Sequence, residues 1–586
     1  MSQFFDQASL VMVPSGYKNG KVYSQKPLSA DGEITFTRAS NATRVGPNGL
    51  IQKVRQNVLL QSNSFDTTWL SNATTETGGQ AGYDGTNNAW LLQRADGLAR
   101  FVYQTTSSSG LSTFSVYAKE GNTDWLFLAN GSGENRYFDL GNGTLGNTGT
   151  ALFSKIESVG NGWYRCSISV ANGSEVRIYP AVGNGAVSGL VGANVFIQDA
   201  MLEQGDVMTE YVGPTTTAAV SVGPVSGLPR LDYSGGATCP SLKLEPQRSN
   251  LVTFSESFDN AAWTKTNTNV TANAAISPDG YQNADKIIST ATNAFHDIRS
   301  AATITLAAGN NTISLFAKAD GYNFIELGVS SSATFAKYAT IVVNLANGTN
   351  ANTGVNLTWT IVSSKIEDYG NGYYRVSLTF NVDASTSSAM VFMTSLPTST
   401  RGVAFLGNGT SGALVYGAQV EAGSYPTSYI PTLSTSVTRV RDEINNQTTP
   451  IANAFTDNTK GTIFFDLADI EFPTGANAVF RFGNSSSALQ FAVYFDAAGL
   501  GVYAYNGGVF VINVATTTKK FAIRFDGTQI VGFSNGVKQN TANVVTSFNI
   551  DQMTNNTTVS GSFVIKQFIL FPSVLTDQQC IELTTI

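Results

Sequence analysis

The sequence predicts an all-β protein: two tandem jelly-roll β-sandwiches, a further C-terminal sandwich and a small N-terminal module. Three observations predict it. The first is composition. Only 13% of the residues are charged, while 56 Gly, 35 Phe and 22 Tyr accompany a 42% hydrophobic content, a balance that favours strands and turns over helices. The second is a repeat. Ser154-Lys155-Ile156-Glu157, followed by Gly160-Asn161-Gly162-Trp163-Tyr164-Arg165, returns as Ser364-Lys365-Ile366-Glu367 and Gly370-Asn371-Gly372-Tyr373-Tyr374-Arg375, at a constant offset of 210 residues (364 − 154). Such an offset marks a duplicated domain. The third is alternation. After each Gly-Asn-Gly, which supplies the positive φ of a tight hairpin, Tyr164, Cys166, Ile168 and Val170 are expected to face a core, with Trp163, Arg165, Ser167 and Ser169 facing away. Tyr374, Val376, Leu378 and Phe380 repeat the inward set. Period two over eight residues is a half-buried antiparallel strand.

In chain order, residues 1–57 form a distinct module with dense turn signals. It contains Leu10-Val11-Met12-Val13-Pro14, Ser15-Gly16-Tyr17-Lys18-Asn19-Gly20, and Phe36-Thr37-Arg38-Ala39-Ser40-Asn41-Ala42-Thr43-Arg44-Val45. Far downstream stand Pro229-Arg230-Leu231-Asp232-Tyr233-Ser234-Gly235-Gly236 and Leu244-Glu245-Pro246-Gln247-Arg248-Ser249-Asn250. Together these phrases resemble the adaptor segment at the start of many bacteriophage fibre and appendage proteins, where they run on without a break. The resemblance implies that the first repeat was inserted into the adaptor. Residues 1–57 are then expected to pack against 225–250, an insertion that close-lying domain termini tolerate.

The first sandwich is expected over 58–214 and the second over 251–435. Ser64-Phe65-Asp66 and Trp69 match Ser257-Phe258-Asp259 and Trp263; Tyr117-Ala118-Lys119 matches Phe316-Ala317-Lys318. The closing Ala200-Met201-Leu202-Glu203-Gln204-Gly205, running to Tyr211, matches Ala418-Gln419-Val420-Glu421-Ala422-Gly423, running to Tyr429. Short alternating strands over this length suit a two-sheet sandwich. The phrases resemble the carbohydrate-binding-module-like jelly rolls of phage virion proteins.

Residues 440–460 are polar and read as a linker. A last β-domain follows over 461–586, with Thr462-Ile463-Phe464-Phe465-Asp466-Leu467, Phe521-Ala522-Ile523-Arg524-Phe525-Asp526-Gly527 and Asn535-Gly536 among its strand and hairpin signals. Its close, Phe568-Ile569-Leu570-Phe571-Pro572, is similar to that of concanavalin A/laminin-G-like, lectin-like sandwiches. Thr576 and Gln579 predict a capping box on a short terminal helix.

Several function classes are disfavoured. The net charge is −7 and no basic run stands out, so nucleic-acid binding is not expected. The N-terminus lacks a basic stretch followed by an apolar one, and no apolar run reaches membrane-span length. Cytoplasmic synthesis without membrane insertion is therefore expected. Cys166, Cys239 and Cys580 form neither a disulfide framework nor a CxxC pair; Cys166 reads as a core residue. The one histidine, His296, has no G-x-S-x-G serine to work with and reads as a surface or hydrogen-bonded side chain. Glu157/Glu367 and Glu203/Glu421 occur in both copies and are more simply structural than catalytic, so no enzymatic activity is expected.

The resemblance implies a possible structural calcium held by an acid after the first strand and another near the last. Asp66 and Asp199 match those places; in the second copy Asp259 persists but Gly417 replaces the second acid. Asp66 reads more simply as a turn or cap residue. Sugars stack on flat aromatic faces. The candidate ligand residues are tryptophans that only one copy has, Trp90 and Trp125, although core or subunit burial is the favoured reading of each. The resemblance implies a virion structural protein of head, collar or tail fibre. Its adaptor would bind other virion proteins through residues 1–57, its sandwiches would bind host surface glycans, and it would form a homo-oligomer, commonly a trimer. The alternatives are a purely architectural capsid or collar protein and a surface-polysaccharide depolymerase.

Overall fold

The computed structural model describes residues 2–444, 447–471, 477–484, 489–496, 499–505, 508–514, 519–544, 549–555 and 561–585. Among them three short α-helices, Ser2–Gln7, Thr448–Ala452 and Asp577–Thr584, and two 3-10 turns accompany an otherwise β-stranded chain. The expected all-β class is what is found. The chain divides into two compact units. One comprises 54–223 with 281–283, the other 1–53, 224–280 and 284–586.

The first unit is a sandwich of two six-stranded antiparallel sheets. One runs in the order Phe153–Gly160, Trp163–Val170, Ser112–Glu120, Asn194–Gln204, Ala89–Arg94, Thr74–Gln80. The other runs Thr144–Gly149, Asn135–Asp139, Trp125–Asn130, Glu175–Ala181, Phe101–Thr105, Leu70–Asn72. Phe114, Val116, Cys166, Ile168 and Val170 interdigitate with Leu126, Leu128, Phe138 and Ile178 between them. Asn161 takes a φ of 54° and Asn371 one of 52°, as the paired Gly-Asn-Gly hairpins require.

The residues of the repeat that face away from the core are covered as well, as expected of aromatics common to both copies. Trp163 is buried with Ala89 and Tyr117. The Arg165 guanidinium lies 5.3 Å from the Tyr117 ring centroid and donates to Ser115 Oγ at 3.0 Å. The closing phrase folds over this face and covers it. Glu203 accepts from the Thr209 backbone N–H (2.8 Å), and Tyr211 Oη meets Ser62 Oγ at 2.7 Å. The second sandwich repeats every piece. Arg375 donates to Ser314 Oγ (3.1 Å) and to the Thr427 carbonyl (2.7 Å). Glu421 accepts from Thr427 N–H (2.9 Å), and Tyr429 meets Ser255 (2.7 Å). The shared residues are thus the clasp of the duplicated sandwich.

Burial pushes the Glu203 carboxyl up to about 7, against the donors on Thr209. A carboxyl raised in the folded state adds stability below its unfolded pKa, and that stability is lost as pH rises through about 7. Glu203→Gln is expected to raise the first sandwich's melting temperature at pH 8 and to leave it little changed at pH 5. Calorimetry at the two pH values checks this.

In the second unit, one sheet of the second sandwich orders Thr268–Ala275, Ala284–Ser289, Gly412–Ala422, Gly309–Asp320, Tyr374–Val382, Thr360–Asp368. The facing sheet orders Trp263–Thr266, Asp297–Ser300, Thr386–Leu396, Phe324–Ser330, Tyr338–Asn344, Thr349–Val355. The C-terminal sandwich packs an eight-stranded sheet on a five-stranded one. The expected capping box is present: Thr576 Oγ1 accepts from Gln579 N–H, and Gln579 Oε1 from Thr576 N–H.

Two boundaries need correction. Residues 1–57 do not form a module of their own. Leu10–Met12 pairs with Ser562–Phe571 near the end of the chain, and Arg230–Asp232 and Ser241–Leu244 extend the same sheet. Residues 54–57 belong to the first sandwich instead, Arg55–Asn57 pairing with Val220–Val222. Residues 38–45 do meet 224–233: Ala42 N–H donates to the Pro224 carbonyl and Tyr233 N–H to that of Val45. The stretch 440–460, read as a linker, is packed. Ile444, Ile451, Ala454 and Phe455 enter the C-terminal core, because four apolar side chains among polar neighbours suffice to anchor a short segment; residues 445–446 lie outside the described residues.

Candidate functional site

The second sandwich carries a cleft of about 1130 Å³ on the outer face of its Phe324–Ser330 sheet. Strand register builds its floor. Glu326 pairs with Thr394, and Thr394 lies opposite Asp297, since Ile298 pairs with Met393. Side chains opposite each other share a face, so Asp297, Thr394 and Glu326 form one polar row across three adjacent strands. The next row reads Arg299, Phe392, Gly328, Thr340, Gly354. Its two glycines make room. A Cβ on Gly328 would run into the Phe392 ring, and one on Gly354 into the Arg401 guanidinium. Phe392 therefore lies across Gly328, and Arg401 lies flat on the Gly354 backbone.

The walls are aromatic. Phe335 meets Phe392 edge-on at 4.9 Å, with the Arg299 guanidinium 5.1 Å from the Phe335 ring centroid. The Arg401 guanidinium stands 5.3 Å from the Tyr338 ring centroid and donates from Nη1 to Tyr338 Oη at 3.2 Å. Phe295 is 58% exposed at the rim.

Electrostatically the two carboxylates differ. Asp297 is ion-paired to Arg299 through Oδ2. Its Oδ1 is shielded from water and has no hydrogen-bond partner among the described residues. Glu326, 6% exposed, has its pKa raised by burial, which outweighs the hydrogen bonds from Thr340 Oγ1 (3.0 Å) and Gly402 N–H (3.4 Å) and the pull of Arg401. A pocket with a few convergent polar groups, flanking rings and a perturbed acid is the arrangement of a small-ligand site.

His296 lines this cleft as an anchor. Its Nδ1 lies 2.6 Å from the Asn267 carbonyl oxygen, and Nε2 lies 3.2 and 3.1 Å from those of Thr292 and Phe405. It is buried and hydrogen-bonded, with no serine nucleophile among those partners.

The residues chosen from the sequence lie elsewhere, in the first sandwich. Trp90 is half-buried at the edge of the core, edge-on to Phe65 at 6.3 Å, with Nε1 donating to the Asn63 carbonyl. Trp125 is half-buried and shares the outer face of its sheet with Phe127. Asp66 is exposed and accepts from Thr67 Oγ1 at 3.0 Å. Asp199 is buried, accepts from Tyr83 Oη at 3.0 Å and has its carboxyl pushed up by burial. Among the described residues no three His, Cys, Asp or Glu side chains gather as a metal site.

The sequence did hold a signal for the cleft. In the first sandwich the corresponding core pairs are Val102–Ile178 and Leu128–Ile178, in place of Ile298–Met393 and Leu327–Met393. Asp297, Thr394 and Glu326 thus correspond to Phe101, Tyr179 and Phe127. These three rings, with Tyr137, run across the sheet at centroid spacings of 4.6, 5.1 and 4.3 Å. The scaffold is common to both copies while this face differs, so carboxylates present in one copy alone mark the site.

No protein-family model matches the sequence, and no curated protein matches it. Among solved structures, the chain is similar to the CBM40 of the Ruminococcus gnavus IT-sialidase (18% identity, TM-score 0.18, covering 22% of this chain and 84% of that one). It is similar also to the tandem CBM22-1–CBM22-2 domains of Paenibacillus barcinonensis Xyn10C (11% identity, TM-score 0.20, 62% and 97%). A third is the LG1-3 region of the laminin α2 chain (10% identity, TM-score 0.14, 81% and 96%). At these TM-scores the likeness carries no functional argument, and the chemistry of the site stands on its own residues.

Proposed function

We propose that this chain is a glycan-binding structural protein of a bacteriophage virion. Residues 1–57 attach it to other virion proteins, and its sandwiches meet host surface glycans. The phage reading rests on the adaptor phrases quoted above, as does assembly into a homo-oligomer. The glycan reading rests on one observation: the row Asp297–Thr394–Glu326, set beside Phe392 and Phe335 in an open cleft. Pyranose rings offer apolar faces to such aromatics and hydroxyls to such a row.

Titrating the full chain with host surface polysaccharide by calorimetry tests this reading. Binding is expected, and Phe392→Ala is expected to weaken it about tenfold or more while the circular dichroism spectrum is kept. Unchanged affinity in that variant would remove the cleft from consideration. A second reading, polysaccharide cleavage, is favoured by the two carboxylates of that row. They stand two strand spacings apart, roughly 10 Å, near the separation used by inverting glycosidases. New reducing ends in the same incubation, absent with Glu326→Gln, would establish it.

A further inference from the structure

We propose that the glycan held by this cleft carries a carboxylate, which docks on Arg401. The inference rests on the cleft being the sugar site. Arg401 is half-buried at the cleft wall. Its hydrogen bonding among the described residues is a single bond from Nη1 to Tyr338 Oη. It makes no ion pair there, although Glu326 lies near enough to feel its charge. A guanidinium offers five N–H donors in a planar fork that matches a carboxylate bidentately.

The other charges of the cleft are accounted for. Arg299 is committed to Asp297, to the Ala333 carbonyl (3.2 Å) and to the Phe335 face. Glu326 is occupied by Thr340 and Gly402. What remains is a surplus of donors at Arg401 and one acceptor without a partner, Asp297 Oδ1. A neutral sugar would bring hydroxyls to Arg401 but no charge to match it. A sugar acid brings an anion for Arg401 and hydroxyls for the polar row, with its ring face toward Phe392 and Phe335. Gly354 and the Tyr338 ring pin the guanidinium before any ligand arrives, so little side-chain entropy remains to be lost on binding.

Uronic and sialic acids share this chemistry, and the test separates them. The full chain is titrated with alginate oligosaccharides, with α2,8-linked oligosialic acid, with the carboxyl-reduced form of each, and with dextran and dextran sulfate. One carboxylated series is expected to bind, and its carboxyl-reduced form to bind about tenfold or more weakly, the loss expected of a charge-assisted pair. Arg401→Ala is expected to lose as much with an unchanged circular dichroism spectrum, and Arg401→Lys less. Dextran binding as tightly as the acids, or dextran sulfate matching them, overturns the inference. So does full affinity in Arg401→Ala. If a neutral glycan binds and Phe392→Ala abolishes that binding, the cleft stands and the sugar acid falls. If no probe binds, both fall.

Discussion

Asp442→Ala is expected to destabilise the unit containing residues 1–53, 224–280 and 284–586 by about 3–5 kcal/mol. Asp442 is fully buried at the centre of a charge cluster. It accepts from Arg38 Nη1 (3.0 Å), from Arg230 Nη2 and from the Glu245 backbone N–H (2.9 Å). Glu245 in turn holds Arg230 Nη1 at 2.7 Å and pairs with Arg439. Three guanidinium groups thus face two carboxylates. The carbonyls of Pro224, Val225, Thr43 and Pro246 take much of the remaining donor capacity. Burial, with Arg230 and Arg38 beside it, lowers the Arg439 pKa well below its ordinary value. Removing Asp442 strands two buried cations, and that cost far exceeds what the pair gains over an apolar substitute. Urea unfolding of Asp442→Ala and Asp442→Asn checks it. A loss below about 1 kcal/mol in both would show that water reaches the cluster and the charges are not stranded.

Gly328→Val is expected to abolish glycan binding while the chain still folds. The added Cβ would sit 2.8 Å from the Ala339 carbonyl oxygen and closer still to the Phe392 ring. The ring must leave the cleft floor, and the Ala339 carbonyl must give by a few tenths of an ångström. The structural cost is that of overpacking one site, about 1–3 kcal/mol, whereas affinity is expected to fall about a hundredfold as the wall moves into the sugar's place. Calorimetric titration beside a melting curve separates the two. Retained affinity with a lowered melting temperature would mean that Phe392 is not the stacking surface.

Both results turn on residues that the sequence displays without connecting. Arg38, Arg230 and Glu245 all stand in phrases that look distinctive on the page, yet nothing in their spacing tells that they meet. Their partners lie up to 404 positions away. Asp297 and Glu326 likewise look like isolated acids until strand register sets them on either side of Thr394. Trp90 and Trp125 stand out as flat rings that one copy has and the other lacks, which says nothing about which sheet face a ring will line.

The amino-acid order by itself determined the β class, the duplication, the Gly-Asn-Gly hairpins and the capped terminal helix. The duplication shows as a constant offset between matching phrases, and the others are local: alternation, positive φ and a capping box need only neighbours within a few residues. Tertiary structure decided the rest. It set the N-terminal strand beside the last one, drew 440–460 into a core, covered Trp163 and Arg165 with the closing phrase, and assembled the cleft. Those outcomes depend on which strands pair and in what register, and pairing energy is shared among residues hundreds of positions apart.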